Sequence, residues 1–172
     1  MATSEETSTQ SGRIAGRSHR AGDATDETKQ IVINTILKKA DEYGLSAKDK
    51  ANLVAFAKIE SGFNPDAASL TSTASGVMQI VDQTADDAIK RLSGSKIIGG
   101  HHLGVYKRFN IDSNIEYGIA IYLDKKRKVR HSDDAAILYK EYNHKRAEYT
   151  KHLESIKADS KNSRKKFPVR AV

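Results

Sequence analysis

The sequence predicts a single, mainly α-helical domain with at most a small β-hairpin, and three observations carry that expectation. Apolar residues recur at spacings of three and four from about residue 26 to residue 157, the period that gathers them on one helix face. Gly, Pro and small hydroxyl residues cluster between those stretches, most densely at 62–75, where turns and loops belong. No stretch of strand-like pattern exceeds what one hairpin around 66–81 would use. With 172 residues the chain can bury one sizeable core and is short for two.

The elements follow in order. Residues 1–25 are polar and rich in Ser, Thr and Gly; they read as a flexible arm, or as a segment that orders only against a partner. The first helix runs from Glu27 to Tyr43, with Val32, Ile36, Ala40 and Tyr43 on one face, Asp26 as its cap and Gly44 at its left-handed end. Ser46 and Asp49 form a capping box that opens a second helix through Ser61, with an inward stripe of Leu53, Phe56 and Ala57. Glu60 continues that stripe. A carboxylate there is costly unless paired or used; the plainer reading is a last-turn acid that bends back to solvent.

After the 62–75 loop comes a short apolar piece, Val77 to Val81, and a modest helix from Gln83 to Leu92. Residues 93–110 are Gly-rich and loop-like. Ser113 and Glu116 form a second capping box for a helix through Arg127, with Ile115, Ile119, Tyr122 and Leu123 inward. Helices are also expected at Asp133–Tyr142 and Lys145–Lys157, followed by a basic tail at 158–172. The organisation is therefore arm 1–25, domain 26–157 and tail 158–172.

Composition excludes several function classes. There is no cysteine, so disulfides, thiolate nucleophiles and cysteine zinc sites are out. No apolar run approaches the roughly 18 residues of a spanning helix, and the N-terminus has no apolar core of a secretory signal. The net charge of +7 favours polyanionic surroundings. Nucleic acid is not the expected partner: there is no Trp, aromatics are 6%, and no helix interleaves basic and base-stacking residues. His101 and His102 lack spaced carboxylate partners, so no metal and no cofactor is expected.

Four short motifs occur in order. Glu60-Ser61 is followed by Asn64-Pro65-Asp66-Ala67; then come Gly76-Val77-Met78-Gln79-Ile80, Asn114-Ile115 with Gly118 and Tyr122-Leu123, and finally Tyr142-Asn143. In this order and spacing the chain resembles the catalytic domain of the soluble lytic transglycosylases, a branch of the lysozyme-like superfamily, over about residues 50 to 145. The resemblance implies a lysozyme-like helical fold with a groove lined by the motif residues. It implies cleavage of the β-1,4 bond between N-acetylmuramic acid and N-acetylglucosamine in peptidoglycan, leaving a 1,6-anhydro end.

Carried over residue by residue, the resemblance makes Glu60 the single catalytic acid. That role suits a desolvated carboxyl group, which can keep its proton near neutral pH. The substrate-binding set becomes Ser69, Met78, Gln79, Tyr142 and Asn143. Gln79 offers amide donors and an acceptor to the sugar, while Met78 suits core packing better than substrate contact and Asn143 suits backbone support at a helix end better than binding. Gly76 is expected where backbone approaches closely. Asn114, Ile115, Gly118, Tyr122 and Leu123 read as fold residues. Departures from the family pattern are Val81, Asp82 and the pair His144-Lys145. Asp82 is the residue a goose-type hydrolase would use to activate water; its other reading is a helix cap. An inactive structural protein that kept the fold is the remaining alternative. The substrate lies outside the cytoplasmic membrane, so delivery by a phage particle or secretion machine is expected, with the two tails contacting other proteins of that machine and no insertion into the membrane.

Overall fold

The computed structural model describes residues 16–92, 103–130, 134 and 137–138. Within them the chain forms α1 (Asp26–Glu42), α2 (Ala47–Ser61), α3 (Asp82–Leu92) and α4 (Ile111–Lys128). Among the described residues there is no strand. The hairpin expectation reduces to two isolated bridges, Ala68 with Ser75 and Ser75 with Ile80. The mainly α reading holds.

Helix α1 starts one residue earlier than expected, and its cap is Thr25 rather than Asp26. Thr25 has extended backbone, and its Oγ1 accepts the Thr28 N–H at 3.0 Å; Asp26 is the first helical residue, where its charge faces the positive helix end. The far end closes as a Schellman turn. Gly44 sits at φ +71°, its N–H donates to Asp41 O at 2.9 Å, and the Leu45 N–H reaches Ala40 O at 3.0 Å. A Cβ at Gly44 would touch nothing within 4 Å, so Gly44→Ala isolates the conformational cost. We expect a loss of about 1 kcal/mol in urea unfolding. An unchanged midpoint would mean the turn relaxes freely.

Helix α2 is the central element. Its N-cap is Ser46, which accepts the Asp49 N–H at 3.1 Å. Every residue from Ala51 to Ala57 is buried, so over that run the helix is enclosed on all sides and has no single apolar stripe. Helix α1 packs on both α2 and α4, and α3 packs on α4. Phe56 meets Tyr122 edge-on at 5.8 Å. Val32, Ile36, Leu53, Met78, Ile115 and Ile119 fill the core around them.

Buried polar groups tie α2 to α4. Asp49, 3% exposed, accepts the Tyr122 hydroxyl at 2.6 Å and the Lys126 Nζ at 2.6 Å. Asn52 Nδ2 donates to the Tyr122 oxygen at 3.2 Å. The carboxylate is thereby both neutralised and hydrogen-bonded, the condition for tolerating a buried charge. Lys50, also buried, pairs with Asp41 of α1. The Tyr43 hydroxyl donates to Glu116 Oε1 at 2.9 Å; burial, with that acceptor, pushes the phenol well above its ordinary range.

Helix α4 corrects another expectation. It begins at Ile111, and Asn110 is the cap, its side chain accepting the Ser113 N–H at 2.9 Å. Ser113 lies one turn inside. Its hydroxyl instead accepts from the Lys107 N–H at 2.8 Å and donates to Val105 O at 3.1 Å, which pins the preceding loop. The expected inward residues hold: Ile115, Ile119 and Tyr122 are buried, and Leu123 packs at the margin.

Asp82 is the first residue of α3 and not its cap. The expected helices at 133–142 and 145–157, and the 158–172 tail, fall almost wholly outside the described residues. Where they begin, the Ile137 N–H donates to Asp134 Oδ1 at 3.1 Å and the Leu138 N–H to Asp134 O at 3.0 Å. Leu138 is fully buried in the core. The expected arm is likewise part of the folded body over its last residues: Gly16–Gly22 is hydrogen-bonded to Ser61, Asn64, Asp66 and Ala68.

Candidate active site

Glu60 occupies the last turn of α2 and is half-buried. It stands where the fully enclosed run 51–57 gives way to partial exposure. The helix stops one residue later for local reasons. The Ser61 hydroxyl donates back to Ala57 O at 3.0 Å, competing with helix continuation. Gly62 takes a left-handed conformation at φ +56°, with its N–H on Lys58 O at 2.9 Å. Phe63 is left-handed too, at φ +62°, a costly state for a residue with a bulky side chain.

The Asn64-Pro65-Asp66-Ala67 motif then closes on itself. Asn64 Oδ1 accepts the Asp66 N–H at 3.0 Å, an Asx turn, and the Ala67 N–H reaches Asn64 O at 3.1 Å. All four of these residues are buried. From Ala67 the chain runs directly into the loop that carries Ser69 and Gln79.

That loop is one hydrogen-bonded unit. The Ser69 N–H donates to Ala74 O at 2.9 Å, and the Gly76 N–H to Ala67 O at 2.8 Å. Gln79 adopts φ +50°, and its Nε2 donates to both Ala67 O at 2.9 Å and Gly76 O at 3.0 Å. Both amide hydrogens are therefore spent on backbone. Of the donors and acceptor expected of Gln79, its Oε1 is what remains for a ligand. Ser69 is half-buried and its Oγ accepts the Thr71 N–H at 3.2 Å, so the hydroxyl also shapes its own turn.

Met78 requires a correction. It is 1% exposed, and a Cβ on Gly118 would stand 2.5 Å from its Cγ. Its side chain fills the space that Gly118 leaves and packs in the core, so it cannot touch a glycan. Gly76 behaves as expected: at φ +80° any Cβ would meet Asn114 Nδ2 at 2.2 Å and Arg108 O at 2.3 Å. Tyr142 and Asn143 lie outside the described residues. The structure thus brings Ser69, Met78 and Gln79 into one loop that follows Glu60 in the chain.

The residue that organises this loop is Asn114, which sequence reasoning placed only as a helix start. It has no exposure. Its Oδ1 accepts the Met78 N–H at 2.8 Å, and its Nδ2 faces Ser75 O and Arg108 O at 3.0 Å each, with the Tyr106 hydroxyl at 3.3 Å. The signal was present: an amide four residues before Gly118, in line with a buried face. Tyr106, in the loop before α4, was also missed; burial pushes its phenol up to about 12.

Asp82 is occupied. Its N–H donates to Thr73 Oγ1 at 2.9 Å, and its carboxylate pairs with Arg108 at 3.2 Å. No group of three His, Cys, Asp or Glu side chains among the described residues is arranged to hold a metal. None of the described helices is long and apolar enough to cross a membrane.

A family model described as the transglycosylase SLT domain matches residues 34–164. The chain belongs to that family. Comparison with curated proteins and with solved structures found no match. SLT domains are lytic transglycosylases that act on peptidoglycan, and the match covers Glu60, Ser69, Met78, Gln79, Tyr142 and Asn143. The match begins inside α1, so residues 16–25 lie outside the matched residues.

Asp66, within the SLT motif, is 2% exposed. Its Oδ2 accepts the Gly16 N–H at 2.5 Å, and its Oδ1 has no partner among the described residues. Burial raises its carboxyl above the ordinary value of 3.8, against smaller lowering effects of the Gly16 N–H and His19. The folded state therefore holds the Asp66 proton to higher pH than the unfolded chain does. The Asp66 contribution to stability is complete below the unfolded value and is lost as pH rises through the folded one. Urea midpoints of wild type and Asp66→Asn, compared from acid to neutral pH, should move in the variant's favour across that window. A pH-independent difference would contradict this.

Proposed function

We propose that this SLT domain cleaves the bond between N-acetylmuramic acid and N-acetylglucosamine by intramolecular transfer, with Glu60 as its one acid and base. Glu60 donates its proton to the glycosidic oxygen as the C1–O bond breaks. The muramic C6 hydroxyl attacks C1, and its proton passes to the Glu60 carboxylate, which regenerates the acid. The new C6–O–C1 bond is the 1,6-anhydro ring, so no water and no second carboxylate take part.

The observation that carries this reading is the position of Glu60: half-buried in the last turn of a helix whose residues 49–57 are all buried, and followed in the chain by the hydrogen-bonded loop that holds Ser69 and Gln79. A carboxyl group there is partly withdrawn from water. Of the two carboxylates the sequence reading weighed for catalysis, Asp82 is engaged by Arg108, which favours the single-acid route over hydrolysis. Ser69, the Gln79 oxygen and Tyr142 would orient the sugar. We place the enzyme on a phage particle or secretion machine, a role in keeping with its net charge of +7 and its basic C-terminal tail; its presence in purified particles tests that placement.

The chemical test is mass spectrometry of fragments released from purified sacculi. Products lighter by one water than reducing muropeptides support transfer. Reducing ends would overturn it and return Asp82 to consideration as a hydrolytic base.

A further inference from the structure

We infer that residues 16–22, which precede the residues matched by the family model, form a positioning strap that holds the turn carrying Glu60 in its working geometry. The inference rests on the reading of Glu60 as the acid. The strap grips both ends of the chain reversal that follows Glu60. At one end the Gly22 N–H donates to Ser61 O at 2.8 Å. Gly62 packs so closely there that a Cβ on it would stand 2.7 Å from Gly22 Cα. At the other end Asn64 Nδ2 donates to Ser18 O at 2.9 Å and Arg20 O at 2.6 Å. Past Asn64, the Gly16 N–H meets the Asp66 carboxylate, and His19 Nδ1 lies 2.6 Å from Asp66 O. The Ala68 N–H donates to His19 O at 2.9 Å, which ties the strap to the loop of Ser69.

The strap is itself braced, so it can impose a position and not merely follow one. The Ser18 hydroxyl donates to Asp23 Oδ2 at 2.6 Å, and the Arg17 N–H to Asp23 O at 2.9 Å. The His19 ring lies against Phe109, with centroids 5.4 Å apart, which connects the strap to the loop before α4. The reversal it holds contains two consecutive left-handed residues, Gly62 and Phe63. The left-handed state is ordinary for Gly62 but costly for Phe63, where it persists only when the surroundings over-determine it. Since misplacing a catalytic group by about 1 Å can cost about 10²-fold in rate, a loosened strap should appear first in kcat.

The test uses the full chain on soluble glycan strands, well below the melting temperature. Gly16→Val drives a side chain into Asn64 Oδ1, which a Cβ alone would approach to 2.1 Å. His19→Ala removes the contact to Asp66 O, and His19→Asn retains a donor there. Arg17→Ala and Arg20→Ala, on exposed side chains, serve as controls. We expect Gly16→Val and His19→Ala to lower kcat about tenfold or more, with KM within about twofold of wild type. His19→Asn should recover most of the loss, and the arginine variants should match wild type. A lower melting temperature in His19→Ala with unchanged kcat would overturn the strap's positioning role, and His19→Ala decides the matter should Gly16→Val not fold. Glu60→Gln, run in parallel, separates the two ideas. If it is inactive while His19→Ala keeps full kcat, the strap inference fails alone; if it is active, the Glu60 reading fails and takes the strap inference with it.

Discussion

Glu60→Gln should lower kcat by about 10² or more, with little change in the urea midpoint. The amide has the size and shape of the carboxyl group and can still donate a hydrogen bond. It cannot deliver a proton to the leaving oxygen or take one from the muramic hydroxyl. Both halves of the proposed reaction use the same group, so nothing else in the scheme compensates. Glu60 is half-buried at a helix end, where an isosteric change opens no cavity in the core. A stable fold with lost rate is therefore the expected signature. Glu60→Asp offers a second reading, since it keeps the acid but withdraws it by one methylene. It should recover part of the rate only if the loop of Ser69 and Gln79 lets the sugar follow. Measured on purified sacculi, a Glu60→Gln rate within tenfold of wild type would remove Glu60 from the mechanism.

Asn114→Leu should carry the largest stability cost, about 3 kcal/mol or more in urea unfolding. The side chain has no exposure and serves one backbone N–H and two backbone carbonyls from two loops, those of Met78, Ser75 and Arg108. Leucine fills a similar volume, so the loss comes from groups left dry and unpaired, each worth about 1–3 kcal/mol. Against a total stability of about 5–15 kcal/mol that is a large fraction. Asn114→Asp tests the direction of the bonds. It keeps an acceptor for the Met78 N–H but turns a carboxylate toward two carbonyl oxygens, and should be no better than the leucine. Because Asn114 also sets the backbone on which Gln79 sits, activity should fall in both variants. A cost below about 1 kcal/mol would mean that the Ser75–Ile80 pairing holds the loop unaided.

Much of the fold follows from local chemistry that adjacent residues carry. The stop after α1 needs only Gly44, and the start of α2 needs only Ser46 facing the Asp49 N–H. The period that placed Val32, Ile36 and Ala40 inward is written along α1 alone. Errors arose where two local devices competed. Thr25 and Asp26 are both good caps, and so are Asn110 and Ser113; each choice was made by what the side chain could reach in space. Ser113 lost the cap position because its hydroxyl bonds to residues 105 and 107 of the preceding loop.

The sequence by itself determined the four described helices to within a residue or two at their ends, the loop after Glu60, the need for glycine at Gly76, and the membership in the SLT family. Only the tertiary structure decided how polar groups are used. It spent the Gln79 amide on backbone carbonyls, buried Met78 against Gly118, paired Asp82 with Arg108 and made Asn114 a clamp. It also folded Gly16–Gly22 onto the turn of Glu60. The physical reason is reach: periodicity and capping act within one or two turns, whereas Asn114 meets Met78 across 36 residues and Gly16 meets Asp66 across 50. A hydrogen bond between such distant partners leaves no local pattern, because any sequence that supplies the donor and the acceptor satisfies it.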